Sequence, residues 1–214
     1  MAEHIDKTCL NNNLRYRFDY VSKFLNFTKE DIACLNALAP MIFPRIPSLV
    51  EAVYKKINSF DITKQYFYMR SYNSESFPFN EDTDAAIIST RADFRKDMLS
   101  IYLKRVFIQT EWNDKFLQYL SQIGEIHTEF NHTESTHIDY THVNALLGYL
   151  EHLLIDLLWN MENLDRPKKI LSIRAVNKLF WIQNDFFTMH YGLTVKNDTI
   201  ENIYSKEQAH CHYK

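Results

Sequence analysis

The chain has 214 residues, a length that is compatible with one compact domain. Its 3 glycines and 5 prolines are too few to separate many short strands, so an all-helical fold is expected. The net charge of −3, with both signs interspersed, offers no basic stripe for a phosphate backbone, and no nucleic-acid partner is expected.

Targeting and redox signals are weak along the whole sequence. The first ten residues hold acids, bases and a histidine, and the longest apolar stretches are too short to cross a bilayer. We therefore expect a cytoplasmic protein that does not enter a membrane. The three cysteines, Cys9, Cys34 and Cys211, are far apart and predict neither a disulfide framework nor a zinc site.

Apolar residues at three- and four-residue steps predict the first two helices. The first spans residues 14–25 and packs on the rest of the domain through its apolar stripe. The second begins at Thr28, where the spacing to Asp31 is typical of a capping box. Because proline cannot continue a helix without disruption, we expect Pro40 and Pro44 to end it.

A third helix is predicted after Pro47, with Tyr54 on its apolar face. Residues 61–68 are rich in aromatic side chains and are interpreted as a short turn. Residues 71–82 are rich in serine, asparagine and acidic side chains, which is typical of a surface loop. We expect this loop to be a hinge or a lid.

The second half of the chain is expected to contain four helices and two polar segments. The helices are predicted over residues 84–109, 111–128, 137–161 and 165–190, with Asp165 as the N-cap of the last one and Gly192 as its stop. Residues 129–136 are interpreted as a loop. The domain is therefore assigned to residues 1–192, and residues 193–214 are expected to be a flexible tail.

His127 has an unusual setting among the nine histidines of the chain. It closes an apolar arc of one helical face with Phe116, Leu120 and Ile123, and it precedes a polar loop. A lone histidine on such a face can be a core residue, a capping residue or a ligand. Its spacing alone leaves these alternatives open.

No other pattern of side chains predicts a catalytic or multi-ligand metal site. His132, His137 and His142 are five residues apart, which favours a solvated polar connection with capping roles over a metal cluster. Gly-rich phosphate loops, nucleophile elbows and Cys-His catalytic patterns are not found. The sequence gives no support for catalysis by side chains alone.

The sequence around His127 resembles the protoglobin family, which shares its domain with the globin-coupled sensors. The resemblance lies in Ile123-Gly124-Glu125-Ile126-His127, a nine-residue loop, His137-Ile138 and Val143-Asn144-Ala145. It implies an all-α, globin-like fold with an additional N-terminal helix, here residues 14–25. It also implies that His127 is the proximal ligand of a haem iron and that Tyr54 is a distal tyrosine.

Two departures from the family pattern concern the surroundings of the haem. The aromatic residue that commonly precedes the distal tyrosine is Val53 here. The family's basic loop after the proximal histidine is replaced by Glu129-Phe130-Asn131-His132. These departures bear on ligand access and on partner contacts rather than on the fold.

The long helix before His127 offers further candidates for a haem pocket. Met98, Leu99 and Tyr102 are candidates for the distal wall, although the same residues could be ordinary core. The haem propionates need cations, and Arg91, Arg95 and Lys96 lie on that helix. The expected haem b site consists of Tyr54, Arg95, Met98, Leu99, Tyr102, Ile123 and His127.

These expectations define the functional hypotheses. The first is a stand-alone haem protein that reversibly binds oxygen, with carbon monoxide or nitric oxide as alternatives, for storage or for sensing through a separate redox or signalling partner. Turnover of nitric oxide or peroxide is a side activity that such a site would allow. The second is a haem-free helical adaptor of the same fold. A homodimer through the last two helices is also expected, since family members tend to pair in that way.

Overall fold

The computed structural model describes the backbone of residues 2–68, 81–128 and 138–211, and the side chains of residues 2–64, 92–128 and 138–192. Within these ranges every regular element is helical, so the predicted all-α class is confirmed. The α-helices, interrupted by one 3-10 turn at Phe43–Arg45, are α1 Lys7–Asn12, α2 Leu14–Leu25, α3 Lys29–Ile42, α4 Ile46–Ile57, α5 Asp61–Tyr68, α6 Glu81–Ile108, α7 Asp114–Glu125, α8 Tyr140–Trp159 and α9 Arg166–Cys211.

The two N-terminal helices differ in how well the sequence predicts them. Helix α2 has the predicted bounds, and it ends at Asn26 in the left-handed conformation with a φ of 52°. Helix α1 was not predicted, since it buries no residue and therefore shows no apolar stripe. It is stabilised by the Asp6 carboxylate, which accepts hydrogen bonds from the backbone of Thr8 and Cys9.

Helix α3 begins with the predicted capping box of Thr28 and Asp31. The prediction that Pro40 helps to end this helix is wrong, because α3 continues to Ile42. Ile42 is fully buried, and its packing holds the chain in helical conformation past the proline. The helix ends two residues before Pro44, which lies in the 3-10 turn.

One stretch of the described residues, Lys29–Ile57, is long and apolar enough to span a membrane by length and composition. This stretch comprises α3, the 3-10 turn and α4. Its largest apolar side chains are buried against the other helices, among them Leu35, Ile42 and Val53. The apolar character is therefore explained by the core of the domain.

The middle of the chain is more helical than predicted. Residues 61–68, interpreted as a turn, form helix α5, and α6 begins at Glu81 rather than at residue 84. The predicted surface loop, residues 71–82, and the predicted loop 129–136 lie mostly or wholly outside the described residues.

Helix α9 is the element on which the rest of the domain is assembled. It packs against α2, α3, α7 and α8. Its start is capped as predicted, because the Asp165 carboxylate accepts a hydrogen bond of 2.9 Å from the backbone of Lys168. The Arg17 guanidinium of α2 donates to both carboxylate oxygens of Asp185 at 2.6 Å, which ties α2 to α9.

The predicted stop of α9 at Gly192 is wrong, since α9 is helical for 46 residues up to Cys211. A single glycine costs a helix only about 1 kcal/mol relative to alanine, which is too little to stop a long helix by itself. The apolar pattern of the helix does not continue beyond Gly192, so its periodicity did not predict that the helix extends further. The flexibility of residues 193–214 stays a prediction.

Candidate functional site

Helix α7 carries the apolar arc that leads to His127. It begins at Asp114, where the Asn113 side chain accepts a hydrogen bond from the backbone of Phe116, and it ends at Glu125. The predicted helix, residues 111–128, was too long at both ends. His127 therefore lies in the turn that follows α7, one residue after the C-cap Ile126.

The His127 ring is held in one orientation. Its Nδ1 donates a hydrogen bond of 2.7 Å to the carbonyl of Ile123, which fixes the tautomer and leaves the lone pair on Nε2. The Phe187 ring of α9 packs edge-to-face against it at a centroid distance of 5.2 Å. Within the described part of the chain no hydrogen bond engages Nε2, so this atom is available to a ligand.

The environment of His127 favours the neutral imidazole. Burial is the largest cause of its lowered pKa, and the charge of Arg95 lowers it further, while the bond to the Ile123 carbonyl has the opposite effect. A metal-binding histidine must be neutral to offer its nitrogen lone pair. The charge state of His127 at neutral pH therefore suits iron ligation.

Helix α9 also contacts α7 itself, through two side-chain hydrogen bonds. Gln183 donates a hydrogen bond of 3.1 Å from Nε2 to the carbonyl of Leu120, and the His190 ring shares a hydrogen bond of 2.8 Å with the Ser121 hydroxyl. Gly124 permits this close approach. A Cβ atom at Gly124 would lie 2.9 Å from His190 Cδ2 and 3.0 Å from the carbonyl oxygen of Phe186.

Tyr54 is located on α4, where its side chain is only 7% exposed. Burial raises the pKa of its phenol to about 12, so the hydroxyl remains protonated and can act as a hydrogen-bond donor. The Lys96 ammonium of α6 lies 5.7 Å from the Tyr54 ring centroid and pairs with Glu51 at 3.0 Å. The Tyr54 ring is therefore buried on the side of α4 that faces α6.

Arg95 connects the surroundings of Tyr54 with those of His127. Its positive charge opposes the burial-driven rise of the Tyr54 pKa and adds to the burial-driven lowering of the His127 pKa, so the guanidinium lies close enough to each group to act electrostatically. Three separate elements, α4, α6 and the turn after α7, thus contribute side chains to one region. Of the four polar residues of the predicted site, Tyr54, Arg95, Tyr102 and His127, Arg95 is the one that acts electrostatically on both Tyr54 and His127.

Comparison with known proteins identifies the family. Residues 14–196 match the family model named Protoglobin. The chain belongs to the protoglobin family. A solved structure, the globin domain of the Geobacter sulfurreducens globin-coupled sensor, superposes with a TM-score of 0.60, covering 81% of this chain and 96% of that chain at 14% identity. No curated protein matches the chain.

The structural match confirms the predicted globin-like fold of this protoglobin. At 14% identity the likeness concerns the fold alone. The family model starts at the first residue of α2, so the match includes the predicted additional N-terminal helix and leaves α1 outside.

The remaining predicted residues of the α6 side share one helical face. Arg95, Met98, Leu99 and Tyr102 follow the i, i+3, i+4, i+7 spacing on α6. Met98 is 37% exposed, Leu99 is partly buried, and Tyr102 is buried. Ile123, on α7, is partly buried against the core. The side chain of Arg91, as well as His132 and His137, lies outside the described residues.

These residues suit a haem group. The imidazole of His127 is neutral and offers Nε2, and a macrocycle needs only one such ligand because it supplies the other nitrogen donors itself. Tyr102 has a buried hydroxyl without a hydrogen-bond partner among the described residues, on the α6 face that is predicted to cover the group. Such an orphaned hydroxyl is explained where a bound molecule completes the wall.

Sequence reasoning missed the residues of α9 that hold the histidine segment in this protoglobin. Gln183, Phe187, His190 and Tyr191 recur on one face of α9 and contact α7 or the turn after it. Their spacing of four, three and one is a helical-face signal. It could have identified the face, but not the element that the face contacts.

Proposed function

We propose that this protoglobin binds haem b through His127 and reversibly binds a diatomic gas, with oxygen as the first candidate and carbon monoxide or nitric oxide as alternatives. When bound, the haem iron supplies the position at which the gas coordinates. The observation that carries the proposal is the His127 imidazole, which is neutral, is oriented by the Ile123 carbonyl and makes no hydrogen bond through Nε2 to a described residue.

On the proximal side, the chain orients a single imidazole. The hydrogen bond from Nδ1 to the Ile123 carbonyl increases the electron density on Nε2 and prevents the ring from rotating. The edge of the Phe187 ring restricts the space beside it. His127 and Ile123 together would form the proximal wall.

On the distal side, Tyr54 provides a hydrogen-bond donor. Its phenol stays protonated because burial raises its pKa to about 12. Dioxygen in such a pocket carries partial negative charge and gains from this donor, whereas carbon monoxide gains less. Tyr54 would therefore favour oxygen over carbon monoxide.

The α6 face would complete the pocket. Arg95 supplies a guanidinium that can pair with a haem propionate, since its charge already reaches both Tyr54 and His127. Met98, Leu99 and Tyr102 would cover the macrocycle with apolar surface. The result is a largely apolar slot that holds the Tyr54 donor, the Tyr102 hydroxyl and one cation.

We also propose that two copies pair through α8 and α9 in the cytoplasm. Large apolar side chains are exposed on both helices, with Trp159 at 55%, Leu171 at 56% and Trp181 at 54%. A self-complementary contact would cover them. Storage or sensing through a separate partner are the uses that fit a gas-binding domain.

The test of the proposal is haem reconstitution of the full chain. The wild type is expected to show a Soret band that shifts when carbon monoxide is added to the reduced form. His127→Gly should lose the histidine-ligated spectrum and regain it when imidazole is added, which separates loss of ligation from loss of folding. His152→Gly, at an exposed position of α8, is the matched control and should leave the spectrum unchanged.

Two outcomes would contradict the proposal. A wild-type protein without a Soret band after reconstitution would support the haem-free adaptor instead. A wild-type spectrum in the His127→Gly variant would move the ligand to another residue, with His132 as the next candidate.

A further inference from the structure

The turn that contains His127 is connected to α9 by a tyrosine. The Tyr191 hydroxyl donates to the carbonyl oxygen of His127 at 3.0 Å, and it also bonds the carbonyl of Ile138. One hydroxyl hydrogen is thus shared between two carbonyl acceptors. The two acceptors flank residues 128–137, so a single side chain ties both ends of that segment to α9.

A second contact closes the same arrangement. The backbone N–H of Ile138 donates to the carbonyl of His127 at 3.3 Å. The His127 carbonyl therefore accepts from both Tyr191 and Ile138. The Tyr191 ring is itself supported by the Tyr140 ring of α8 at a centroid distance of 5.2 Å.

The position of Tyr191 on α9 makes it part of a larger contact. Phe187 lies four residues before it and packs against the His127 ring, and His190 bonds Ser121 of α7. The ring of His127 is thus oriented by Ile123 and Phe187, whereas its backbone is located by Tyr191. Ring and backbone are held by different groups.

We propose that Tyr191 is a positioning residue for the proximal ligand: by holding the carbonyl of His127, it sets where Nε2 points toward the iron. The inference rests on the proposed function, because it assigns Tyr191 a role in the same haem site. Without the phenol hydroxyl, the turn keeps its ring contacts and its backbone hydrogen bonds to Gly124 and Ile138, but it loses the bond that ties its backbone to α9.

The test compares Tyr191→Phe with Tyr140→Phe. Tyr140 is a matched control because its hydroxyl also bonds two groups, the side chains of Asn184 and Thr188 of α9, each at 3.0 Å, without touching residue 127. Both variants remove one hydroxyl and keep the aromatic ring. A similar loss of thermal stability is expected for the two.

The first readouts use the haem-loaded protein. In Tyr191→Phe the iron–histidine stretching band of the ferrous protein should shift and broaden, and haem transfer to an excess of acceptor globin should be about fivefold faster, the factor given by one ordinary hydrogen bond. Tyr140→Phe should keep the wild-type band and rate. Equal changes in both variants, or none in Tyr191→Phe, would overturn the inference.

The second readout does not depend on haem. Hydrogen exchange at the Ile138 amide, measured on the protein as purified, should be about fivefold faster in Tyr191→Phe than in the wild type and unchanged in Tyr140→Phe. If the wild type shows no Soret band, the proposed function fails, yet this measurement still decides whether Tyr191 holds the segment. Equal exchange at Ile138 in the wild type and in Tyr191→Phe would refute the positioning role even in a protein that binds haem.

Discussion

The proximal and distal sides of the proposed pocket are built in different ways. The segment of His127 is located by hydrogen bonds that connect separate elements: α7 bonds α9 through Gln183 and His190, and the turn bonds α9 through Tyr191. The surroundings of Tyr54 depend on burial between α4 and α6 and on the partly exposed ion pair of Lys96 with Glu51.

This difference corresponds to different requirements on the two sides: the proximal nitrogen needs an accurate position, and the distal donor needs the right protonation state. A ligating nitrogen must be placed within a fraction of an ångström, and directional bonds from a rigid helix provide such placement. A distal donor must mainly be protonated and enclosed, which burial alone achieves for Tyr54. Changes on the proximal side should therefore affect stability and haem retention, whereas distal changes should affect ligand preference.

The largest expected effect comes from the helix crossing at Gly124. Gly124→Ala should destabilise the fold by about 1–3 kcal/mol, because the new methyl group overlaps with His190 and with the Phe186 carbonyl. The control is Gly148→Ala on α8, where a Cβ meets no atom within 4 Å; it should stabilise by about 0.5–1 kcal/mol. Urea unfolding measures both, and a Gly124→Ala protein as stable as Gly148→Ala would show that the crossing is not tight.

A smaller effect is expected from Tyr54→Phe. Loss of the donor should speed oxygen dissociation by about 5- to 10-fold with little change for carbon monoxide, since one hydrogen bond is removed. Tyr149→Phe is a suitable control, because that ring lies 5.4 Å from Lys56 of the same helix α4. Flash photolysis and stopped flow provide the rates. An unchanged oxygen dissociation rate would remove the donor role from Tyr54.

The smallest expected effect is a pH dependence of stability in the haem-free protein. Burial is the main cause that lowers the pKa of both His127 and His190 from 6.5. The unfolded chain therefore takes up protons first as the pH falls below about 6.5, and the free energy of unfolding decreases until the folded-state pKa values are reached. Above that range it should be constant with respect to these groups.

Unfolding curves between about pH 8 and 5 measure this dependence. His190→Gln should reduce the slope, because only His127 then contributes of the two. A stability that rises as the pH falls, or a slope that His190→Gln leaves unaltered, would contradict the assignment.

Local signals in the sequence predicted much of the helical framework. The bounds of α2, the capping box at Thr28 and the cap at Asp165 each depend on neighbours within a few residues, so they can be read from spacing. The prediction from Pro40 was wrong because the packing of the buried Ile42 outweighs the cost of the proline. The prediction from Gly192 was wrong because one glycine costs a helix only about 1 kcal/mol. Helix α1 was missed because it has no buried face.

In the candidate site, too, local signals were predicted and long-range contacts were not. The arc of α7 pointed to His127, and the resemblance placed Tyr54 opposite it. The contacts of Gln183, His190 and Tyr191 were not predicted, because each joins residues more than fifty positions apart in the chain. Spacing along one helix identifies a face, and only the three-dimensional fold identifies the partner of that face.

Arg95 links the pKa of Tyr54 on the distal side to the pKa of His127 on the proximal side. Its field stabilises the phenolate of Tyr54 and disfavours the imidazolium of His127, so it makes the first group more acidic and the second less basic at once. Any change that displaces or neutralises this guanidinium should therefore raise the pKa of both Tyr54 and His127. The pKa values of the ligand-binding donor and of the iron-binding base therefore do not vary independently, although Tyr54 lies on α4 and His127 lies in the turn after α7.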